Sequence, residues 1–173
     1  NHSNIQKHFS KKIIYLIKKL YIPKGKWFEL GSGTGFLADQ IECEFIKQKV
    51  TRIDFSQNML NLNKLSSKKI LWDLNYGLPP LTDKSSLLVS NFCLHWLNEP
   101  EIILKKWFDK LRIGGFLIVS FPSSKCFPEW ENTCKKNDIS FSAIEFPDID
   151  KIKKLFKQNQ IVLSHKFIYK ETS

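Results

Sequence analysis

Lys26-Trp27-Phe28-Glu29-Leu30-Gly31-Ser32-Gly33-Thr34-Gly35 is a short apolar strand pattern running straight into a glycine cluster. Glycines at 31, 33 and 35 permit a tight turn and let the backbone approach a ligand where a Cβ would intrude. A helical pattern follows from about residue 35 to 47, with Phe36, Leu37, Ile41, Phe45 and Ile46 as its apolar stripe. Strand, glycine turn and helix in that order form the unit of a nucleotide-type site. The spacing is GxGxG, not the GxGxxG of dinucleotide sites, and Glu29 would be unhelpful beside a pyrophosphate. An acid two residues before the first glycine suits a ligand with a cationic ammonium. The plainer alternative is a turn chosen only for packing, and the flanking strand and helix weigh against it.

The same alternation extends in both directions. Upstream, Ile5, Phe9, Ile13, Ile14, Ile17 and Leu20 recur at helical spacing over residues 4–20, and Pro23 and Gly25 end the pattern. Downstream come a strand over 50–54, a helix capped by Ser56 through Met59, Leu60 and Leu62, and a brief strand over 69–72. Residues 75–85 read as loop. Residues 86–92 form the near-continuous apolar strand of a parallel sheet interior. A helix over 99–111 is capped by Gly114-Gly115, and a fifth strand covers 116–121. Beyond Pro122 come an irregular aromatic segment, a basic helix over 149–157 and a sixth strand over 161–169. Such alternation specifies an α/β fold: a Rossmann-like, doubly wound, mainly parallel sheet with helices on both faces. Ligands of such sheets sit beyond the carboxyl ends of the strands, where the strand order reverses.

Composition narrows the class. The 173 residues suit one domain with a real core, and 42% hydrophobic content argues against disorder. No apolar run approaches the length of a membrane span, and the opening residues lack the apolar stretch of a signal peptide. Four cysteines, Cys43, Cys93, Cys126 and Cys134, lie far apart without CxxC spacing. They read as free thiols in a reducing compartment, and the histidines show no metal-ligand spacing, so no metal is expected. The net charge of +10 comes from 25 Lys and only 2 Arg. Arginine is the favoured reader of phosphates and base edges, so its scarcity weighs against a nucleic-acid face. A solvated lysine surface, a nucleic-acid face and attraction to an acidic partner all stay open on charge alone.

Two further acids stand at strand ends. Asp54 closes the second strand, 23 residues after Gly31, where an acid can accept from both ribose hydroxyls; alone it could equally cap a helix. Asp73, in Trp72-Asp73-Leu74, follows the third strand and could accept from an adenine amino group or be an ordinary loop acid. These elements in this order resemble the class I S-adenosylmethionine-dependent methyltransferases, over residues 27–121. That resemblance implies S-adenosylmethionine as cofactor, held by Glu29, Gly31, Gly33, Gly35, Asp54, Phe55, Met59, Asp73, Leu74 and Asn91. Leu111-Arg112-Ile113-Gly114-Gly115 resembles the family's LxPGG turn, with Ile113 in place of proline.

Three shorter segments resemble the malonyl-[acyl carrier protein] O-methyltransferases of biotin synthesis. His2-Ser3-Asn4-Ile5-Gln6 is similar to their HAxLQ lead-in. Ser90-Asn91-Phe92-Cys93-Leu94-His95-Trp96 is similar to SNLxxQW, with His95 where glutamine is usual, and Cys126-Phe127-Pro128-Glu129-Trp130 to SxPEL. The resemblance implies methyl transfer to the free carboxylate of a malonyl thioester on an acidic acyl carrier protein, or on coenzyme A, in the cytoplasm. A carboxylate is already ionised, so no catalytic base is required. His95, Trp96 and Trp130 are the candidates for the acceptor side; the bland alternative makes Trp96 core and His95 surface. The expected organisation is an N-terminal helix over the active-site face (1–25), a cofactor-binding core (26–121) and a substrate-side segment (122–173). Against that family the chain is a fragment, truncated before residue 1 and after the sixth strand. A lysine rim of Lys105, Lys106, Lys125 and the 151–157 cluster would steer the carrier protein. Other expectations compatible with the core are methylation of RNA or another small molecule, and a non-catalytic cofactor-binding scaffold.

Overall fold

The computed structural model describes residues 4–64, 68–124, 126, 128–139 and 146–164. The chain order is α1 (Asn4–Lys19), β1 (Trp27–Leu30), α2 (Phe36–Glu44), β2 (Val50–Asp54), α3 (Gln57–Asn61), β3 (Lys69–Leu71), β4 (Ser85–Asn91), α4 (Pro100–Phe108), β5 (Leu111–Ser120), α5 (Pro128–Lys136) and α6 (Ile149–Lys154). The five strands form one parallel sheet in the order β3-β2-β1-β4-β5. The chain winds outward from β1 to β3, then crosses to β4 and β5, so the order reverses between β1 and β4.

Alternation along the central strands builds two cores. Phe28, Leu30, Ile53 and Leu88 face α4 and pack with Ile103, Leu104 and the fully buried Trp107. Trp27, Val50, Leu87 and Val89 face the other way, onto Ile13 and Ile17 of α1 and Leu37, Ala38 and Ile41 of α2. Each buried aliphatic side chain stabilises by about 1.5–3 kcal/mol, so both helix layers are firmly seated.

Several boundaries differ from the sequence reading. The second helix stops at Glu44, because Phe45 leaves helical geometry, and Ile46 is 83% exposed instead of joining the apolar stripe. Leu62 likewise lies past the end of α3 and is exposed. The loop over 75–85 contains 3₁₀ turns at Leu74–Tyr76 and Pro80–Thr82. Gly114-Gly115 does not cap α4, which ends at Phe108; both glycines lie inside β5. The reason is close approach: a Cβ on Gly115 would stand 2.7 Å from the Ser85 carbonyl oxygen, beside the register shift between Ser85 and Leu87. The segment read as irregular after Pro122 contains α5. The basic helix ends at Lys154, started by the Asp148 carboxylate, which accepts the Asp150 and Lys151 N–H groups. Of the expected sixth strand, residues 161–164 are irregular, and 165–169 lie outside the described residues. Among the described residues no helix is long and apolar enough to cross a membrane.

Candidate active site

A cleft of about 600 Å³ opens at the carboxyl ends of β1 and β4, where the strand order reverses. One wall is the glycine turn after β1. Gly31 has φ 67° and Gly33 φ 52°, and the Gly31 and Ser32 N–H groups both donate to the Ile53 carbonyl (2.9 and 3.0 Å). Gly31 is required by contact as well, since its Cβ would meet the Cys93 Sγ at 2.2 Å. A Cβ on Gly33 would meet nothing within 4 Å, so that glycine faces open cleft.

Asp54 braces the turn. Its two carboxylate oxygens accept the Gly33 N–H (2.7 Å) and the Ser56 N–H (2.9 Å), tying the glycine turn to the start of α3. Each oxygen retains lone-pair capacity toward the cleft it lines. Asn63, which sequence reading overlooked, donates from its amide to the carbonyls of Gly33 (2.8 Å) and Met59 (2.9 Å). Asp73 caps the following 3₁₀ turn through the Asn75 N–H (2.9 Å) and also lines the cleft. A side pocket of about 350 Å³ adjoins there, walled by Phe55, Leu71, Trp72, Asp73 and Tyr76.

Glu29 is the electrostatic centre. It points to the α1/α2 side of the sheet, is only 3% exposed, and accepts the Ala38 N–H at 3.1 Å. Burial pushes its carboxyl up to about 8, with smaller upward pushes from Asp39 and Asp54; the Ala38 hydrogen bond and the Arg52 charge act downward. Arg52, fully buried on the neighbouring strand, pairs with Asp39 at 2.6 Å. A buried acid held near neutral pH beside a cleft is a natural seat for a cation, because an incoming positive charge restores its ionised form.

Asn91 ends β4 and joins three elements. Its amide donates to the Gln6 carbonyl (3.1 Å) and Ser10 Oγ (3.0 Å) of α1, and its oxygen accepts from Ser120 Oγ of β5 (2.5 Å). Gln6 and Ser10 line the cleft, so α1 forms part of its wall. The next residue, Phe92, has φ 59° and packs on Phe9 (5.3 Å). A bulky residue in left-handed backbone marks a strained position beside the site. Burial raises the Cys93 thiol to about 12, so it stays protonated and is no nucleophile at neutral pH.

Of the residues singled out from sequence, Glu29, Gly31, Gly33, Asp54, Phe55, Met59, Asp73, Leu74, Asn91 and Trp96 line this cleft. Two do not. Gly35 lies behind it, where its φ of 79° starts α2 and its Cβ would collide with Asn63 Oδ1 at 1.9 Å. His95 is buried among Phe92, Trp96 and Phe146, at 6.2, 5.0 and 5.8 Å between ring centres. Burial lowers His95 to about 4, so it is neutral at pH 7. Trp96 is 65% exposed at the cleft rim. The Trp130 side chain, Lys125 and the first part of the 2–6 lead-in lie outside the described residues. Gln6, Phe92 and Cys93 stood in the motif segments without a role; Ser10 of α1, which lines the cleft, and Asn63 past α3, which braces Gly33 from behind, were in no motif and arrive only through folding. Cys43, Cys93, Cys126 and Cys134 are free thiols. Among the described residues no His, Cys, Asp and Glu group could hold a metal ion.

Known proteins resemble the chain in sequence and in fold. The chain is 26% identical over 133 residues to the malonyl-[acyl-carrier protein] O-methyltransferase of Bacillus cereus, covering 74% of this chain and 49% of that protein. It is 28% identical over 106 residues to the trans-aconitate 2-methyltransferase of Sinorhizobium medicae, covering 60% of this chain and 40% of the relative. The chain therefore spans about half the length of the curated relatives it matches, or less. The fold superposes on the plantazolicin methyltransferase solved in complex with SAH with a TM-score of 0.64 at 12% identity, over 88% of this chain and 63% of that one. With its sheet order, its glycine turn and a match over residues 28–119, more than half its length, the chain belongs to the methyltransferase domain family and has the class I methyltransferase fold.

Proposed function

We propose that the chain binds S-adenosylmethionine and transfers its methyl group to the free carboxylate of a malonyl thioester carried by an acyl carrier protein, the methyl ester serving biotin synthesis. The observation that carries the donor is the buried Glu29 beside an open glycine turn at the β1/β4 reversal. The acceptor rests on the relative from Bacillus cereus and its printed name. S-adenosylmethionine is the cofactor, and it supplies an electrophilic methyl on a sulfonium.

In this reading Glu29 takes the ammonium of the methionine end, and Gly31 and Gly33 leave it room. Asp54 accepts the ribose hydroxyls on the lone pairs left by its two backbone bonds. Phe55, Met59 and Leu74 flank the adenine, and Asp73 accepts from its amino group. Asn91 borders the transferred methyl and keeps α1 closed over it. Trp96 stands on the acceptor side, and His95 shapes that side from beneath. The acceptor carboxylate is ionised at neutral pH, so the protein need not remove a proton. Holding donor and acceptor in line and excluding water is worth up to about 7–11 kcal/mol. Residues 1–25 then cover the active-site face, 26–121 hold the donor and 122–173 lie on the substrate side. The reaction fits a reducing cytoplasm, in keeping with the free thiols.

The test offers methyl-labelled S-adenosylmethionine with malonyl-acyl carrier protein and malonyl-coenzyme A, and identifies products by mass. A carboxyl methyl ester on the carrier-borne malonyl group is expected, and its absence from both thioesters refutes the reading. A second reading, a free small carboxylic acid as acceptor, is favoured by the trans-aconitate relative. Adding trans-aconitate to the same assay separates the two.

A further inference from the structure

The lysines divide by where the fold puts them. Helices here run back along the sheet, so α4 begins at the cleft end and finishes where β5 starts. Lys105 and Lys106 sit in the last turn of α4, away from the cleft, and Lys105 is paired with Asp109. Nearby Lys110 is paired with Asp83 at 2.5 Å. Helix α6 follows the direction of α4. The Asp148 N–H at its start donates to Glu101 (3.4 Å), and Phe156 beyond its end meets Phe108 (5.0 Å). Lys153 and Lys154 therefore also lie toward the far end.

Helix α1 is different. It leads into β1, so its N-terminal half lies at the cleft, where Gln6 and Ser10 line the cavity and Asn91 holds both. Its 16 residues include Lys7, Lys11, Lys12, Lys18 and Lys19 and neither Asp nor Glu. Ile13 and Ile17 turn inward, while Lys11, Tyr15 and Lys18 follow one another at helical spacing along the outer side and Lys7, one turn before Lys11, is half-buried on its flank. Lys11 is exposed and Tyr15 is 59% exposed.

Helix stability does not explain the lysines at the cleft end. Lys18 and Lys19 in the last turn complement the helix dipole, but Lys7 in the first turn opposes it and Lys11 gains nothing from it. Lys7 and Lys11, four residues apart, repel each other by about 0.2–0.5 kcal/mol. We propose that the outer face of α1 around Lys11 and Tyr15, with the half-buried Lys7 on its cleft-side flank, docks an acidic protein surface at the mouth of the cleft. The occupant is the carrier protein bearing the acceptor, so the inference rests on the carrier-borne reading above. Nucleic acid is the poorer occupant. Both arginines serve the fold, Arg52 buried in its pair with Asp39 and Arg112 donating to the Lys24 carbonyl (2.7 Å). The face offers solvated point charges suited to carboxylates.

The experiment measures binding of a fluorescently labelled, malonyl-loaded acyl carrier protein at low salt to the wild type, K7E/K11E and K153E/K154E. Bulk transfer RNA is the second probe, and malonyl-coenzyme A turnover is followed in parallel. Because Lys7 is half-buried, thermal melting of K7E/K11E and the single variant K11E accompany the binding measurement, and an intact fold in K11E keeps the comparison decisive. K7E/K11E should weaken carrier binding at least about tenfold, with K153E/K154E and malonyl-coenzyme A turnover little changed. Equal effects of the two pairs, no carrier binding to the wild type, or transfer RNA binding that is tighter and lost in K7E/K11E would each overturn it. If neither thioester is methylated, the acceptor reading fails, while the binding comparison still decides whether α1 is the docking face.

Discussion

Glu29 carries a cost that the rest of the site explains. Its carboxyl is 3% exposed and pushed up to about 8, above the ordinary value of 4.5. Between those values the unfolded chain has lost the proton and the folded chain keeps it, so this group's contribution to stability falls as pH rises from about 4.5 to about 8. Glu29→Gln removes that slope. The variant should melt a few °C above the wild type at pH 8.5 and level with it near pH 4.5, each kcal/mol being worth about 2–4 °C in a chain of this size. Calorimetry should show donor binding weakened about tenfold or more, since a charge-assisted bond worth about 1.5–3 kcal/mol is lost. Equal weakening at every pH without a change in the melting profile would remove the electrostatic account. The glycines give a paired test. Gly31→Ala drives a Cβ into Cys93 Sγ and should cost about 1–3 kcal/mol of stability, read by denaturant unfolding. Gly33→Ala meets open cleft, so it should cost only about 1–2 kcal/mol for placing a Cβ at φ 52°, with the larger part of its defect in donor affinity.

At the scale of elements, α1 depends on Asn91. That one side chain ties the first half of the helix to β4 and, through Ser120, to β5. The second half is held differently, by Ile13 and Ile17 in the core. Asn91→Ala should therefore loosen the helix unevenly. Amide exchange should rise several-fold in residues 5–11 and stay slow around 13–17, with a loss of about 1–3 kcal/mol in global stability. Uniform loosening of the whole helix would mean that the core contacts, not Asn91, set its position. Asn91 was legible in the sequence as a strand-end residue beside the donor. Its second task was not, because Gln6 and Ser10 are 85 and 81 residues away along the chain.

At the scale of the whole molecule, the lysines behind the charge of +10 include Lys11 on the cleft half of α1 and Lys105, Lys106, Lys153 and Lys154 toward the far ends of α4 and α6. Electrostatic steering acts over the Debye length, which falls from about 30 Å at 0.01 M salt to about 8 Å at 0.15 M. Turnover of carrier-borne malonyl groups should drop about tenfold in kcat/KM across that range, mostly through association. An acceptor too small to reach the outer face of α1, such as a free carboxylic acid, should show a much smaller change. Indifference of the carrier-borne reaction to salt would remove long-range charge from the account of this surface.

The alternation of apolar runs with helical periodicity determined the layered α/β fold, because burial of strand faces and helix stripes is written locally. The glycine turn with Glu29, and Asp54 and Asp73 at strand ends, were legible for the same reason: each follows directly from a strand that places it. Tertiary structure alone decided the rest. It put Gly114 and Gly115 inside β5, since only the neighbouring strand's backbone makes a Cβ there impossible. It withdrew Gly35 and His95 from the cleft, brought Gln6 and Ser10 to it and set Asn63 behind Gly33, through contacts that no local pattern records. It also separated the lysines at the cleft from those at the far end of the sheet. Residue type sets the sign of a charge, but the direction of the helix carrying it sets which end of the molecule it serves.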